Sequence, residues 1–401
     1  MERLALRILV ALGVSALLAA LLGPTAQEVR PFVEPLGTIF MRALLSLVLP
    51  LAATALVLAV AELRPGSLAG MGGRLLGLTV GLTSVAVAVG LTLIGLVRPG
   101  EGIDRSTLPA GGVVTPAATD AAQALVELVP QNAFRAAADG AMVPLLVFAV
   151  LFGAALRTTD TDPARRLHEL VQGAFDVCVR GVQMVMTVAP IGVAAMAFST
   201  VAKGGLAALV PVGNFALVAA GALAIQGFIV YPLALRIGAK TSPLAFFRSI
   251  RPALAVAFAT ASSAATLPTT LRVAEEGLRI PAQAGRFILT VGASANQNGT
   301  ALYEGVAILF ICQLYGVELS LAQQALVAGV SILAGVGTAG VPAASIPVIA
   351  AVVGAFGVPA EAVGVLVGVD RVLDMCRTTI NVAGDLVIAR IVGGEEPPEA
   401  A

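Results

Sequence analysis

Residues 361–392 read EAVGVLVGVDRVLDMCRTTINVAGDLVIARIV, an apolar run whose interior carries Asp370, Arg371, Asp374, Arg377 and Asp385. A helix crosses the bilayer core with roughly 20 apolar residues, and each ionised side chain at its centre costs about 2.5 to 3.5 kcal/mol on insertion scales. At about 100° per residue, Asp370, Asp374, Arg377, Thr378, Asn381 and Asp385 fall within an arc of about 100°, with valine, leucine and isoleucine largely outside it. A ladder of internal ion pairs, Asp374 with Arg377 and Asp370 with Arg371, would account for the charges alone. It leaves Thr378 and Asn381 unexplained on the same stripe, so a wet, ligand-facing surface is the better reading.

The chemistry that fits such a surface is recognition of an amino-acid zwitterion bearing an extra carboxylate. The Arg377 guanidinium can bind a side-chain carboxylate bidentately, and Asp374 can pair with an ammonium group. Asn381 and backbone N–H groups at broken-helix tips can receive the α-carboxylate.

The rest of the chain agrees with a membrane setting. Of its 401 residues, 58% are hydrophobic and 12% charged, against about 45 to 50% and 25% in soluble domains. The 24 basic and 24 acidic side chains cancel, so no bulk field exists to hold nucleic acid. Apolar blocks near 6–22, 37–62, 75–97, 141–156, 174–201, 210–236, 285–315 and 361–392 make eight candidate spans of an all-α polytopic membrane protein. Arg3 and Arg7 before the first block resemble a signal-peptide n-region, but the many later spans favour a first transmembrane helix. Cys178, Cys312 and Cys376 lie in apolar context without CxxC spacing and read as small buried hydrophobes. With no tryptophan and three tyrosines the aromatic belt is thin, so charge and aromatic placement do not orient the chain. The stretches 98–139 and 157–169, the latter holding the only histidine, His168, read as connectors.

Two further apolar stretches are interrupted. Residues 245–273 are broken by Thr260-Ala261-Ser262-Ser263-Ala264-Ala265-Thr266-Leu267-Pro268, and 322–357 by Gly335-Val336-Gly337-Thr338-Ala339-Gly340-Val341-Pro342. Backbone that leaves helical geometry at membrane depth must find partners in protein or a wet cavity, and paired interruptions in the halves of an inverted repeat point to a transport site. A helix kink or close-packed crossing is the plainer alternative. In the seventh span, Gly292, Ser294, Asn296, Asn298, Gly299 and Thr300 suggest an unwound turn offering oxygens to a hard monovalent ion, although Asn and Thr also mediate helix packing. Glu304 on the same span differs in kind: an unpaired carboxylate there is held more cheaply with a proton than with a charge. It is a proton-carrier candidate, a buried ion pair being the alternative.

Together these segments resemble the glutamate transporter family, the dicarboxylate/amino acid:cation symporters. The resemblance runs through Phe40-Met41-Arg42 with Pro50, Val129-Pro130-Gln131-Asn132 and Ala189-Pro190-Ile191-Gly192-Val193. More specific are the serine-rich hairpin at 262–268, Asn296-Gln297-Asn298-Gly299-Thr300-Ala301-Leu302-Tyr303-Glu304, the hairpin at 337–342, and Asp374-Met375-Cys376-Arg377-Thr378 with Asn381 and Asp385. The resemblance implies eight transmembrane helices, two re-entrant helical hairpins, inverted repeats, a homotrimer and elevator-type movement. Scaffold spans 1 and 2 would occupy 1–70, transport span 3 71–100 and scaffold spans 4 and 5 101–205. Residues 206–401 would complete the transport domain with span 6, hairpin 1, span 7, hairpin 2 and span 8. It further implies that Arg377 holds the substrate's side-chain carboxylate and Asp374 its ammonium. Thr378, Asn381, Ser262, Ser263, Thr300, Gly340 and Val341 would complete the substrate site. Relatives for neutral amino acids lack this arginine, and the C4-dicarboxylate branch lacks the aspartate.

The departures concern the coupling ion. Sodium-driven members usually carry aspartate at Asn298, methionine at Gln297 and tyrosine at Val80, so the set Thr83, Ser84, Asn296 and Asn298 lacks its carboxylate. Gly335 stands where serine is common in the second-hairpin sodium site. The set Gly292, Asn296, Asn381 and Asp385 keeps its side chains and is a candidate sodium site. Glu304 matches the proton-carrying glutamate of proton-coupled branches, while the substrate-side arginine that relatives place at Ala261 or Met375 is absent. The expectation is an acidic amino acid symporter of a cell inner membrane, with H+ as coupling ion, Na+ coupling reduced or absent, no cofactor and no nucleic-acid partner. A sodium-coupled version is the nearest alternative. An intramembrane hydrolase using Ser262 or Ser263 has no base nearby in sequence, and a channel is served poorly by a paired carboxylate and guanidinium.

Overall fold

The computed structural model describes residues 2–61, 69–102, 126, 129–138, 142–337 and 345–394. Among the described residues the regular structure is helical throughout. The first part of the chain forms α1 (Glu2–Leu22), α2 (Thr25–Ser46), α3 (Val48–Ala61), α4 (Ala69–Val97), α5 (Ala133–Ala138), α6 (Met142–Thr158), α7 (Asp162–Thr187) and α8 (Ala189–Gly204). The second part forms α9 (Val210–Ile225), α10 (Tyr231–Gly238), α11 (Pro243–Thr260), α12 (Ser263–Arg272), α13 (Ala282–Ala295), α14 (Asn298–Tyr315), α15 (Leu321–Gly337), α16 (Ser345–Ala355) and α17 (Gly364–Gly393).

Each interruption has a local cause. Val188 separates α7 from α8 with a bend of 57°, and Pro190 in the first turn of α8 has no N–H to continue the ladder. Pro232 does the same after α9: the chain widens to a π-turn over Gln226–Val230, and the Tyr231 N–H donates five residues back to the Gln226 carbonyl. Ala261 between α11 and α12 takes a left-handed conformation (φ 49°), reversing the chain into a hairpin. Ser262 then caps α12, its hydroxyl accepting from the Ala265 N–H at 3.2 Å. Between α13 and α14, Asn296 and Gln297 leave helical geometry.

These breaks divide several expected spans. Among the described residues two stretches, Met71–Val97 and Val210–Gly238, are long and apolar enough to cross a membrane by themselves, with the bent α7–α8 pair a third when counted as one span. The other blocks are shorter, divided, or in α17 too charged to qualify. Asymmetric burial marks the outer face: Leu6, Val10, Val14, Leu17 and Leu21 of α1 recur every three or four residues and are exposed, a stripe suited to lipid. Ile8, Ala16 and Ala19 on the other side are buried.

Two sets of helices carry the closest packing, joined by contacts of α3 with α15 and α16 and of α17 with α1 and α8. In the first, α1 and α2 lie against α8, while α3 lies against α6 and α7. In the second, α14 packs on α4, α15 and α17, and α17 also touches α9, α11 and α13. The approach of α4 to α14 depends on Gly90, where a Cβ would stand 2.8 Å from Val306 Cγ2 and 3.2 Å from the Leu302 carbonyl. Cys178 and Cys312 are buried as expected of small hydrophobes, but Cys376 is only half-buried, and all three thiols are free.

Candidate functional site

The stripe on α17 is buried inside the second group. Arg377 is 1% exposed, Asp370 and Arg371 are 4%, and Thr378, Asn381 and Asp385 are buried with them. One nitrogen of Arg377, Nη2, donates to Asp374 Oδ1 at 2.9 Å and to Asp370 Oδ1 at 3.2 Å. Its Cζ lies 4.0 Å from the centroid of the Tyr303 ring on α14, a cation–π contact. Arg371 Nη1 stands 3.5 Å from Asp374 Oδ2. The pairing differs from the simple ladder: Asp370 goes to Arg377, two turns along the same face, and Asp374 is shared by both arginines. Arg371 was outside the expected site because it falls at the rim of the helical arc, beside Thr378.

These groups are incompletely satisfied. Arg377 Nε and Nη1, Arg371 Nε and Asp374 Oδ2 are buried without a hydrogen-bond partner. A buried donor left unpaired costs about 1 to 3 kcal/mol, more when charged. Both bidentate edges of the guanidinium run through Nη2, which is spent on the aspartates, so Nε–H and Nη1–H are single donors on opposite sides, each able to give one charge-assisted hydrogen bond to an incoming oxygen. Glu304, fully buried on α14, has both carboxyl oxygens without a hydrogen-bond partner and takes part in no ion pair among the described residues. Its polar neighbours include Arg377 and Ser345 of α16.

The broken turn between α13 and α14 is tied to α17. Asn381 Oδ1 accepts the Gly299 N–H at 2.7 Å, satisfying a donor at the start of α14. Its Nδ2 donates to Gln297 Oε1 at 2.5 Å and to Thr300 Oγ1 at 3.0 Å. Gly299 is required there, since a Cβ would stand 2.9 Å from the Arg377 carbonyl oxygen. Asn381 and Thr300, both expected at the ligand, thus also hold the unwound segment in place. Next to them, Asn296 Nδ2 donates to Asp385 Oδ1 at 2.8 Å, while Asn296 Oδ1 is buried without a partner. A Cβ on Gly292 would lie 2.8 Å from that Asp385 oxygen. In the first hairpin, Ser262 serves as the cap of α12, and the buried Ser263 hydroxyl has no hydrogen-bond partner. Gly340 and Val341 lie outside the described residues.

Thr83 and Asn298 meet through a bond from Thr83 Oγ1 to Asn298 Oδ1 at 2.5 Å, whereas the half-buried Ser84 takes no part in it. The partner on the other side of Asn298 is Tyr231, with Gln226 a turn and a half before it, and sequence reading passed over both. The signal was present: Tyr231 is one of only three tyrosines, in an otherwise apolar span. No group of three or more His, Cys, Asp or Glu arranged to hold a metal ion occurs among the described residues.

Comparison with known proteins places this geometry in context. The family model described as the sodium:dicarboxylate symporter family matches residues 4–394. The proton/glutamate-aspartate symporter of Escherichia coli is 30% identical over 369 residues, covering 90% of this chain and 84% of that protein. The proton/sodium-glutamate symport protein of Geobacillus stearothermophilus is 29% identical, covering 91% and 88%. The corresponding protein of Bacillus subtilis is 27% identical, covering 90% and 85%.

Proposed function

The chain belongs to the sodium:dicarboxylate symporter family, whose members are transporters and not enzymes, and from that premise we propose that it carries aspartate or glutamate across a cell inner membrane together with protons. Sodium dependence is reduced or absent in this reading. The observation that carries it is the buried Arg377 guanidinium, with Nε and Nη1 unpaired beside Asp374 and Glu304. An unpaired Arg377 donor, Nε–H or Nη1–H, receives the substrate's side-chain carboxylate, and Asp374 Oδ2 receives its ammonium. The names of the relatives, which join glutamate or aspartate to protons, support the same substrate class.

Charge balance supports the proton. Asp370 and Asp374 cancel Arg371 and Arg377, so an acidic amino acid adds one net negative charge to a site excluded from water. Glu304 in its protonated form adds no second negative charge beside it, and carrying that proton through offsets the substrate's charge. Spans 1, 2, 4 and 5 serve as scaffold in a homotrimer in this reading. The remaining spans and the two hairpins move as the elevator, with Ser262, Ser263, Thr300, Gly340 and Val341 closing over substrate.

A sodium-coupled reading is supported by the orphaned Asn296 Oδ1 beside Asp385 and by the names of the Geobacillus stearothermophilus and Bacillus subtilis relatives, which join sodium to the proton. Asn296 and Asp385, with the space at Gly292, would hold the ion, whose charge would then supply the compensation. Uptake of labelled aspartate and glutamate into proteoliposomes, driven in turn by a pH gradient and by a sodium gradient, separates the two. Accumulation driven by pH at every sodium level is expected. Accumulation only with sodium would replace the proton reading by the sodium one.

A further inference from the structure

Four helices converge on a polar cluster apart from the charged stripe. Thr83 Oγ1 of α4 lies 2.7 Å from the Thr79 carbonyl and 2.5 Å from Asn298 Oδ1 of α14, its single proton shared between these two acceptors. Asn298 Nδ2 donates to the Tyr231 hydroxyl of α10 at 3.1 Å, and that hydroxyl donates to the Ile380 carbonyl of α17 at 3.0 Å. Tyr231 gives its single proton to Ile380, so it must accept from Asn298, and this determines which way the amide faces. Thr83, Asn298 and Tyr231 are all buried. Tyr231 reaches this point because the π-turn at Gln226–Val230 re-aims the chain, and the Gln226 amide anchors that turn to α4 through the Leu82 carbonyl at 3.3 Å. Gly384 admits the ring: a Cβ there would stand 2.6 Å from the Tyr231 oxygen.

A monovalent cation needs several oxygen lone pairs pointing to one centre, and inside a membrane it needs a compensating charge. Here Asn298 turns its N–H toward Tyr231, its oxygen is already taken by a hydroxyl, Thr83, Asn298 and Tyr231 are neutral, and the neighbouring carboxylate, Asp385, is turned to Asn296 Nδ2 at 2.8 Å. The residues do not fit a sodium ion. We infer that Tyr231 is a positioning residue for ion selectivity: by fixing the Asn298 amide it closes the space between α4 and α14 with hydrogen bonds and keeps sodium out. This rests on the proton-coupled reading above and names what makes the cluster indifferent to sodium.

The test compares wild type, Tyr231→Phe, and Tyr231→Phe with Asn298→Asp as purified proteins, with sodium or choline chloride, aspartate being the binding probe. Wild type binds aspartate equally in both salts. The double variant, with a carboxylate and no phenolic hydroxyl, binds aspartate about tenfold tighter in sodium, within the usual range of coupling between two ligands. Tyr231→Phe alone gives a smaller gain of the same sign. Sodium-specific elevation of Tm, measured without aspartate, reads the same effect should substrate binding be lost in a variant. Variants with aspartate affinity and Tm equally indifferent to sodium would overturn the role of Tyr231 while leaving proton coupling intact. Strong sodium dependence already present in wild type would remove the proton-coupled reading. If Tyr231→Phe left that dependence unchanged, the role of Tyr231 would fall with it.

Discussion

Two polar clusters lie in the same apolar core and are built on opposite terms. Around Asn298 the members are neutral, and Thr83, Asn298 and Tyr231 are joined into a chain of hydrogen bonds ending at Ile380, with Gln226 Oε1 left over at its edge. Around Arg377 the members are charged, and Arg377, Arg371, Asp374 and Glu304 each keep buried atoms without hydrogen-bond partners. Burial is similar in both, so burial alone does not tell a structural cluster from a binding one. Unspent hydrogen-bonding capacity does, because a closed network gains nothing from a ligand while an open one is relieved by it.

The largest effect is expected at Arg377. Arg377→Ala removes the buried guanidinium and strands Asp370 and Asp374 beside Arg371 alone, so aspartate binding should weaken by about 100-fold or more, as for loss of a buried charged pair. Arg377→Lys keeps the charge but not the planar set of donors, and should recover only a small part. Isothermal titration checks both, and near-normal affinity in Arg377→Lys would mean that a point charge suffices. Next comes Glu304→Gln, which leaves a neutral group that cannot release a proton. Net uptake driven by a pH gradient should vanish while exchange of internal for external aspartate continues. Unchanged net uptake would remove Glu304 from the coupling.

A smaller effect is expected in the closed cluster. Thr83→Val removes one donor from Asn298 and should cost about 1 to 3 kcal/mol of stability through the oxygen left unpaired, read as a lowered Tm, with aspartate affinity nearly unchanged. A normal Tm with lost binding would reverse the contrast and make this cluster part of the substrate site. Smallest is Glu318→Gln, which breaks a pair to Arg98 at 3.2 Å whose side chains are 84% and 45% exposed. Solvent screening holds such a pair to a fraction of 1 kcal/mol, so Tm and uptake should barely move.

Much of this was legible in the sequence where composition conflicts with environment. Charges in the run 361–392, the oxygen-rich break at 296–300 and the serine-rich hairpin at 262–268 are improbable in plain lipid-facing helices, and each marks an element that bends or carries polar groups in the structure. What sequence could not supply is which atoms meet. Asp370 pairs with Arg377 rather than with its neighbour Arg371 because residues seven apart share a helix face while adjacent ones diverge by about 100°. Tyr231 was missed because its partners, Asn298 and the Ile380 carbonyl, come from two other helices, and because the π-turn that aims it follows from one proline in an ordinary apolar span. Asn381 was read as a ligand group, and only the folded chain brings the Gly299 N–H to its oxygen.

The most direct test of the open cluster is a titration of the purified protein with aspartate and with its neutral isostere asparagine, with and without sodium, at two pH values. If the unpaired Arg377 donors await a carboxylate, aspartate binds at least about 100-fold tighter than asparagine, as expected when a buried charged group loses its partner. The preference is the same in sodium and in choline, and aspartate affinity is higher at the lower pH, where Glu304 holds its proton. Equal affinity for aspartate and asparagine would contradict the assignment of the open cluster to an acidic substrate.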